Sequence, residues 1–143
     1  MELAIAQARL GEARGEVPIG AVLVDHEGLV IAEGFNQPVS SSDPTAHAEI
    51  VVLREAARKA SNYRLPETTL VVTVEPCLMC AGALVNARVS RVVYGASEPK
   101  WGALTSLLRL DSLGLNHQME VLAGIREEEC ANLLRDFFRK KRS

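Results

Sequence analysis

Apolar residues at Leu3, Ile5, Ala6, Ala8 and Leu10 recur at loosely helical spacing, and Gly11 and Gly15 interrupt them, which predicts a first helix over about Glu2–Arg14. The pattern then changes. Val17-Pro18-Ile19-Gly20-Ala21-Val22-Leu23-Val24 is a near-continuous apolar run, followed by the turn-forming Asp25-His26-Glu27-Gly28 and a second run, Leu29–Ala32. This reads as a hairpin buried on both faces. A loop is expected from Gly34 to Ser42, after which Asp43-Pro44-Thr45 offers a cap and a first-turn proline for a helix reaching about Ala60. Asn62–Glu67 is a connector.

Leu70–Val74 reads as a buried strand, Cys77–Ala87 as a helix and Arg91–Gly95 as another strand. A strand–helix–strand crossover makes a parallel pair, so beside the antiparallel hairpin the sheet is mixed. Between Gly95 and Gly114 the clearest element is a short helix at Leu104–Leu110, and Met119–Leu122 supplies a fifth strand. Arg126–Lys140 is a helix whose apolar positions Cys130, Leu133, Leu134, Phe137 and Phe138 form one face. No repeat, linker or low-complexity tract divides the chain, so residues 1–143 are read as one α/β domain.

Composition narrows the class. With 143 residues, 48% of them apolar and 24% charged, the chain builds one ordinary core, and disorder, collagen-like and disulfide-scaffold readings are excluded. No apolar run approaches the ~20 residues of a membrane span, and the first residues lack the basic start and greasy middle of a secretory leader. Three cysteines are an odd number, and Cys77 and Cys80 lie three apart, which suits thiols doing metal chemistry in a reducing compartment and points to the cytoplasm. The net charge of −2 hides a polarity: in the last ten residues Arg135, Arg139, Lys140, Lys141 and Arg142 stand against Asp136 alone.

Two short segments concentrate the chemistry, His47-Ala48-Glu49 and Pro76-Cys77-Leu78-Met79-Cys80. Residues three apart share a helix face, so both thiols can point at one metal, with Pro76 at the helix's first position and the helix dipole favouring thiolates. His47 would be the third ligand. His47 and Glu49, two apart, diverge around a helix barrel, so a site using both must lie off the helix's N-terminal end, which Asp43-Pro44 would provide. Three ligands leave zinc's fourth position open, as in a catalytic site. A fourth ligand from Cys130, His117 or His26 would instead make a structural knuckle, although Cys130 is most simply a core thiol.

His-x-Glu together with Pro-Cys-x-x-Cys is the paired signature of the zinc nucleobase deaminases. The resemblance extends further. DPTAHAE (43–49), NYRL (62–65), TVEPCLMCAGA (73–83), RVVYGA (91–96), Asn116-His117 and ECANLLRDFFRKKR (129–142) resemble, in order and over nearly the whole chain, the bacterial tRNA-specific adenosine deaminases of the TadA type. That resemblance implies a cytidine-deaminase-like α/β/α sandwich with a mixed five-stranded sheet, a homodimer, one zinc ion per subunit, and conversion of the wobble adenosine in an arginine tRNA anticodon to inosine. It also implies that zinc activates water while Glu49, not a ligand, moves protons from that water to the ring nitrogen and the departing ammonia.

By the same resemblance, Asn36 hydrogen-bonds the purine, the Ala48 backbone amide meets the zinc-bound oxygen, and Asn116 lies near the flipped nucleotide. Phe137, Phe138 and Arg139 match the helix that contacts the tRNA anticodon stem-loop. Other readings are a turn-capping Asn36, a solvated Glu49, core phenylalanines and solvent-facing cations. Where the family usually has Asp-x-Lys after the fourth strand, this chain has Glu98-Pro99-Lys100 followed by Trp101; its Met1 falls inside a first helix that is normally longer, and Val74 replaces a common leucine. Competing functions are a deaminase of free guanine or cytosine bases or nucleosides, and a non-catalytic zinc subunit that only binds RNA. Against the first stands the basic, aromatic C-terminus. Against the second stands Glu49.

Overall fold

Strands β1 (Gly20–Val24), β2 (Val30–Phe35), β3 (Thr69–Val74), β4 (Arg91–Ala96) and β5 (Glu120–Leu122) form one sheet in the order β2-β1-β3-β4-β5, in a computed structural model that describes residues 1–143. β1 is antiparallel to both β2 and β3, while β3, β4 and β5 run parallel. The sheet is mixed, as the hairpin and crossover predict. Helices α1 (Glu2–Ala13) and α5 (Glu127–Arg142) pack together on one face, and α3 (Ala48–Ala60) and α4 (Leu78–Asn86) pack together on the other.

Strand alternation divides the core between these layers. Ala21, Leu23, Leu70, Val72, Val92 and Tyr94 join Val52, Leu53, Ala81 and Leu84 in the larger cluster under α3 and α4. Ile5, Ala8, Ala96, Cys130 and Leu133 form a smaller one between α1 and α5. A Cβ at Gly95 would overlap the Cys130 Sγ, so the bare backbone there lets α5 settle onto β4. Cys130 is therefore a core thiol.

Several local expectations are corrected. Burial on both faces holds for β1 but not for β2, which is the outer strand of the sheet and leaves Val30 and Glu33 exposed. Its free edge is covered at one point, where the Lys59 ammonium donates to the Ile31 carbonyl at 2.8 Å. The segment expected as a loop from Gly34 begins instead as strand, with Gly34 and Phe35 paired to Ala21 and Gly20. A single turn, α2 (Pro38–Ser41), follows, and the Glu16 carboxylate accepts its Val39 and Ser40 amides at 3.2 and 2.6 Å.

Asp43 does not cap the next helix. Its Oδ1 accepts both the amide and the hydroxyl of Thr45, at 2.8 and 2.7 Å, closing an Asx turn, and α3 begins later with His47 as N-cap. Pro76 likewise precedes the first helical turn, because Cys77 is the N-cap of α4. The helix expected over Leu104–Leu110 is absent; the amides of Leu104, Thr105 and Ser106 donate to the Glu75 carboxylate, and only a 3₁₀ turn at Leu110–Leu113 is regular.

Candidate active site

The later start of α3 resolves the divergence of His47 and Glu49. As N-cap, His47 has extended backbone (φ −67°, ψ 155°), so its side chain leaves the helix axis, while Glu49 projects from the first turn. Cys77 is the matching N-cap of α4 (φ −76°, ψ 177°), and Cys80 lies three residues on. Neither N-cap side chain is used to cap its own helix, so imidazole and thiol are both free to ligate. Two helix N-termini thus converge on one point, where their dipoles favour negative sulfur.

His47 Nδ1 stands 3.6 Å from Cys77 Sγ and 3.5 Å from Cys80 Sγ, and the three ligand atoms all lie within 4.8 Å of one another. Zinc bonds of the usual lengths at tetrahedral angles put nitrogen and sulfur ligands about 3.5 Å apart, so these residues fit a zinc ion. The other candidate ligands are engaged elsewhere. His117 Nε2 meets the Val89 carbonyl at 2.7 Å, His26 sits on an exposed turn beside Glu27 and Glu67, and Cys130 is in the α1–α5 cluster. Three protein ligands with an exchangeable fourth position is the catalytic arrangement.

Hydrogen bonding from Cys80, and secondarily from His47, pulls the Cys77 thiol down to about 4 against the effect of its burial. Donation to Cys77, together with burial, holds Cys80 well above the usual thiol range. His47 is raised, chiefly by its bond to Cys77. Glu49 is 4% exposed, and that burial pushes its carboxyl up to about 7 although its own amide and His47 pull it down.

His47, Glu49 and Cys77 line a cavity of about 310 Å³ bounded also by Ile19, Val74, Glu75, Glu98 and Trp101, with Cys80 buried behind Cys77. It opens off the carboxyl ends of the parallel strands β3 and β4, where open α/β sheets bind ligands. A larger surface groove of about 860 Å³ runs between β2 and α3, but it contains none of the ligating residues. Asn36 is buried nearby and its Oδ1 accepts the Ala48 amide at 2.8 Å, so that amide is committed to Asn36 and not, as the resemblance implied, to an oxygen at the metal. Because only the amide oxygen can accept that bond, Asn36 Nδ2 is the group left free, and it is not enclosed.

The remaining sequence-derived candidates lie apart from the cavity. Asn116 is exposed in the segment before β5. Phe137 is buried, Phe138 is 44% exposed, and Arg139 is paired with Asp136 at 2.6 Å.

Residues 1–96 match the cytidine and deoxycytidylate deaminase zinc-binding region. The tRNA-specific adenosine deaminase of Haemophilus influenzae is 49% identical over 143 residues, spanning 99% of this chain and 83% of that protein. That of Bacillus subtilis is 47% identical, spanning 99% and 88%. The chain belongs to the cytidine and deoxycytidylate deaminase family, among its tRNA-specific adenosine deaminases. A solved structure from a study of A-to-I editing by tRNA:A34 deaminases superposes on this family member with a TM-score of 0.90 and 47% identity, covering 94% of this chain and 97% of that one. A guanine deaminase of Bacillus subtilis has a TM-score of 0.65 and 41% identity, but covers only 67% of this chain and 61% of that one.

Three residues around the deaminase cavity were missed in the sequence. Glu75, 3% exposed, accepts the amides of Glu98, Leu104, Thr105 and Ser106, with the Ser106 hydroxyl also bonded to it. Those bonds hold its carboxyl below the usual range although burial alone would raise it. The available signal was a lone acid ending a buried strand immediately before Pro76. Ile19 and Val74, apolar walls of the cavity, look in sequence like any other core positions.

Proposed function

We propose that this protein hydrolytically deaminates adenosine to inosine at the wobble position of a tRNA anticodon, with an arginine tRNA as substrate. Likeness to tRNA-specific adenosine deaminases over 99% of the chain supports the reading, and one observation carries the chemistry: His47, Cys77 and Glu49 line one cavity, and the buried Cys80 joins His47 and Cys77 in a single cluster of ligand atoms. His47, Cys77 and Cys80 would hold one zinc ion per subunit. Bound zinc supplies acidification of a water molecule at neutral pH.

Glu49 performs the proton transfers. Its carboxylate takes one proton as water adds to the purine carbon bearing the amino group and delivers it to the ring nitrogen, then takes the second from the added hydroxyl and delivers it to the amino group, which leaves as ammonia. One water enters and one ammonia departs, so the carboxylate ends as it began. Asn36, oriented by the Ala48 amide, presents Nδ2 as a donor to a purine acceptor nitrogen, and that bond fixes Ala48 and Asn36 as one recognition unit. Asn116, Phe138 and Arg139 contact RNA outside the cavity, with Phe137 seating the helix that carries the last two.

The protein acts in the cytoplasm as a homodimer. An open, mainly apolar depression between α3 and α4, lined by Ile50, Leu53, Tyr63 and three alanines together with Arg54 and Asn86, supports pairing of two copies, which light scattering measures directly. The function is tested by comparing turnover of an anticodon stem-loop bearing adenosine at the first anticodon position with turnover of free adenosine, guanine and cytidine. The stem-loop is expected to react and the free compounds scarcely at all, since an unpaired loop base is presented with little unstacking cost. Faster turnover of free guanine or cytidine establishes the small-molecule reading instead. In parallel, Cys77→Ala should abolish zinc binding while Cys130→Ala retains it; equal loss in both variants would rule out the three-ligand site.

A further inference from the structure

Trp101 is the only tryptophan in the chain and is 70% exposed, although it lines the same cavity as His47, Glu49 and Cys77. An indole left so far in water at the mouth of a site is a surface waiting for a flat partner. The backbone beneath it is held from several sides. Glu75 accepts amides on both sides of it, from Glu98 and from Leu104, Thr105 and Ser106. Gly102 donates to the Glu98 carbonyl at 2.8 Å and pairs with Cys77, and Ala103 donates to the Pro76 carbonyl at 2.9 Å.

The approach is close enough that a Cβ at Gly102 would overlap the Glu75 carboxylate. Pro99 restricts the turn further, and the Glu98 carboxylate accepts the Lys100 amide at 3.0 Å. The indole is thus presented on a preorganised backbone one residue from a group bridged to the zinc-ligating Cys77, so little backbone entropy is lost when it is used.

We propose that Trp101 is the stacking platform for the RNA base next to the one that enters the cavity. This rests on the tRNA deaminase reading. The cavity interior, walled by Ile19, Val74, His47 and Glu49, takes the target base, and the chain of nucleotides on either side must leave across the rim, where Trp101 stands. Bases splayed from a loop lose their neighbours and are held by stacking on aromatic side chains. The platform is indifferent to base edges, so it supports binding more than base identity.

As the sole tryptophan, Trp101 reports on itself. Titrating the zinc-loaded enzyme with a stem-loop carrying inosine at the wobble position, the unreactive product, should quench its fluorescence. Trp101→Ala should raise the Kd for that stem-loop by about 5- to 150-fold, the range of one base–aromatic stack, while Trp101→Phe recovers most of the loss. The deciding experiment pairs the variant with RNA made abasic at the nucleotide 5′ or 3′ of the wobble position.

At one of these positions, base removal should weaken binding to wild type by a similar factor and scarcely weaken binding to Trp101→Ala. Losses that multiply independently at both positions, or an unchanged Kd in Trp101→Ala, overturn the stacking platform while leaving deamination intact. A change in oligomeric state without a change in RNA affinity assigns Trp101 to a subunit contact and also overturns it. If the wild-type enzyme neither binds nor deaminates the stem-loop, the tRNA reading falls and this inference with it.

Discussion

Two buried glutamates that line the same cavity are driven in opposite directions. Glu49 has little to offset its desolvation and is pushed up to about 7, whereas Glu75 receives four backbone amides and is held below the ordinary carboxylate range. A carboxyl that exchanges its proton near neutrality suits proton transfer, and one locked as an anion suits holding a loop. Glu49→Gln should therefore keep zinc content and melting temperature close to wild type and lose about 10²- to 10⁴-fold in turnover of the stem-loop, measured by inosine formation. Near-normal turnover would remove Glu49 from the reaction. His47, Glu49, Cys77 and Cys80 were legible in the sequence because metal-ligand spacing is a local property. Glu75 was not, because its partners lie 23 to 31 residues further along the chain and only folding brings their amides to it.

The helices α3 and α4 matter chiefly at their first turns, and it was the first turns that the sequence misplaced. Asp43-Pro44 has the chemistry of a helix start, but Asp43 spends its carboxylate on Thr45, and the helix begins four residues after Thr45's neighbour Pro44, at Ala48. The β3–α4–β4 crossover was legible, since buried runs flanking an apolar helix admit few other connections, whereas Leu104–Leu110 was misread because apolar spacing does not reveal that its amides bind a distant carboxylate. On α5, Arg139 pairs with Asp136 and Lys140 approaches Glu12 at 3.7 Å, both in exposed ion pairs that phosphate can readily replace. Replacing Arg139, Lys140, Lys141 and Arg142 with Ser should weaken stem-loop binding and flatten the slope of log affinity against log salt by up to ~3, with zinc content unchanged. An unaltered slope would make this charge run a solvated helix end.

Across the whole molecule, the mixed sheet and two helical layers place every cavity residue at one end, so tertiary acid sensitivity and site integrity are linked. Glu16 and Glu75 both have carboxyls held below their ordinary values by hydrogen bonds that outweigh the opposing effect of burial. A carboxyl lowered by folding stabilises the fold fully above its unfolded value and ceases to do so as pH falls through its folded value. The urea midpoint should accordingly fall below about pH 4, whereas between about pH 7 and that range the raised Glu49 carboxyl works in the opposite direction; Glu16→Gln with Glu75→Gln should lower the neutral midpoint while shrinking the loss below about pH 4. A midpoint that does not fall below about pH 4 would contradict this. The Lys59 ammonium seated on the Ile31 carbonyl has a bearing on proteostasis: β2 offers a free row of amides and carbonyls to a strand from another molecule, and the cation occupies one acceptor and sets charge beside the rest. Lys59→Ala should leave the equilibrium stability within about 0.5 kcal/mol yet shorten the lag of fibril or amorphous aggregate formation on gentle heating, followed by light scattering and thioflavin fluorescence; an unchanged lag would show that β2 is guarded elsewhere.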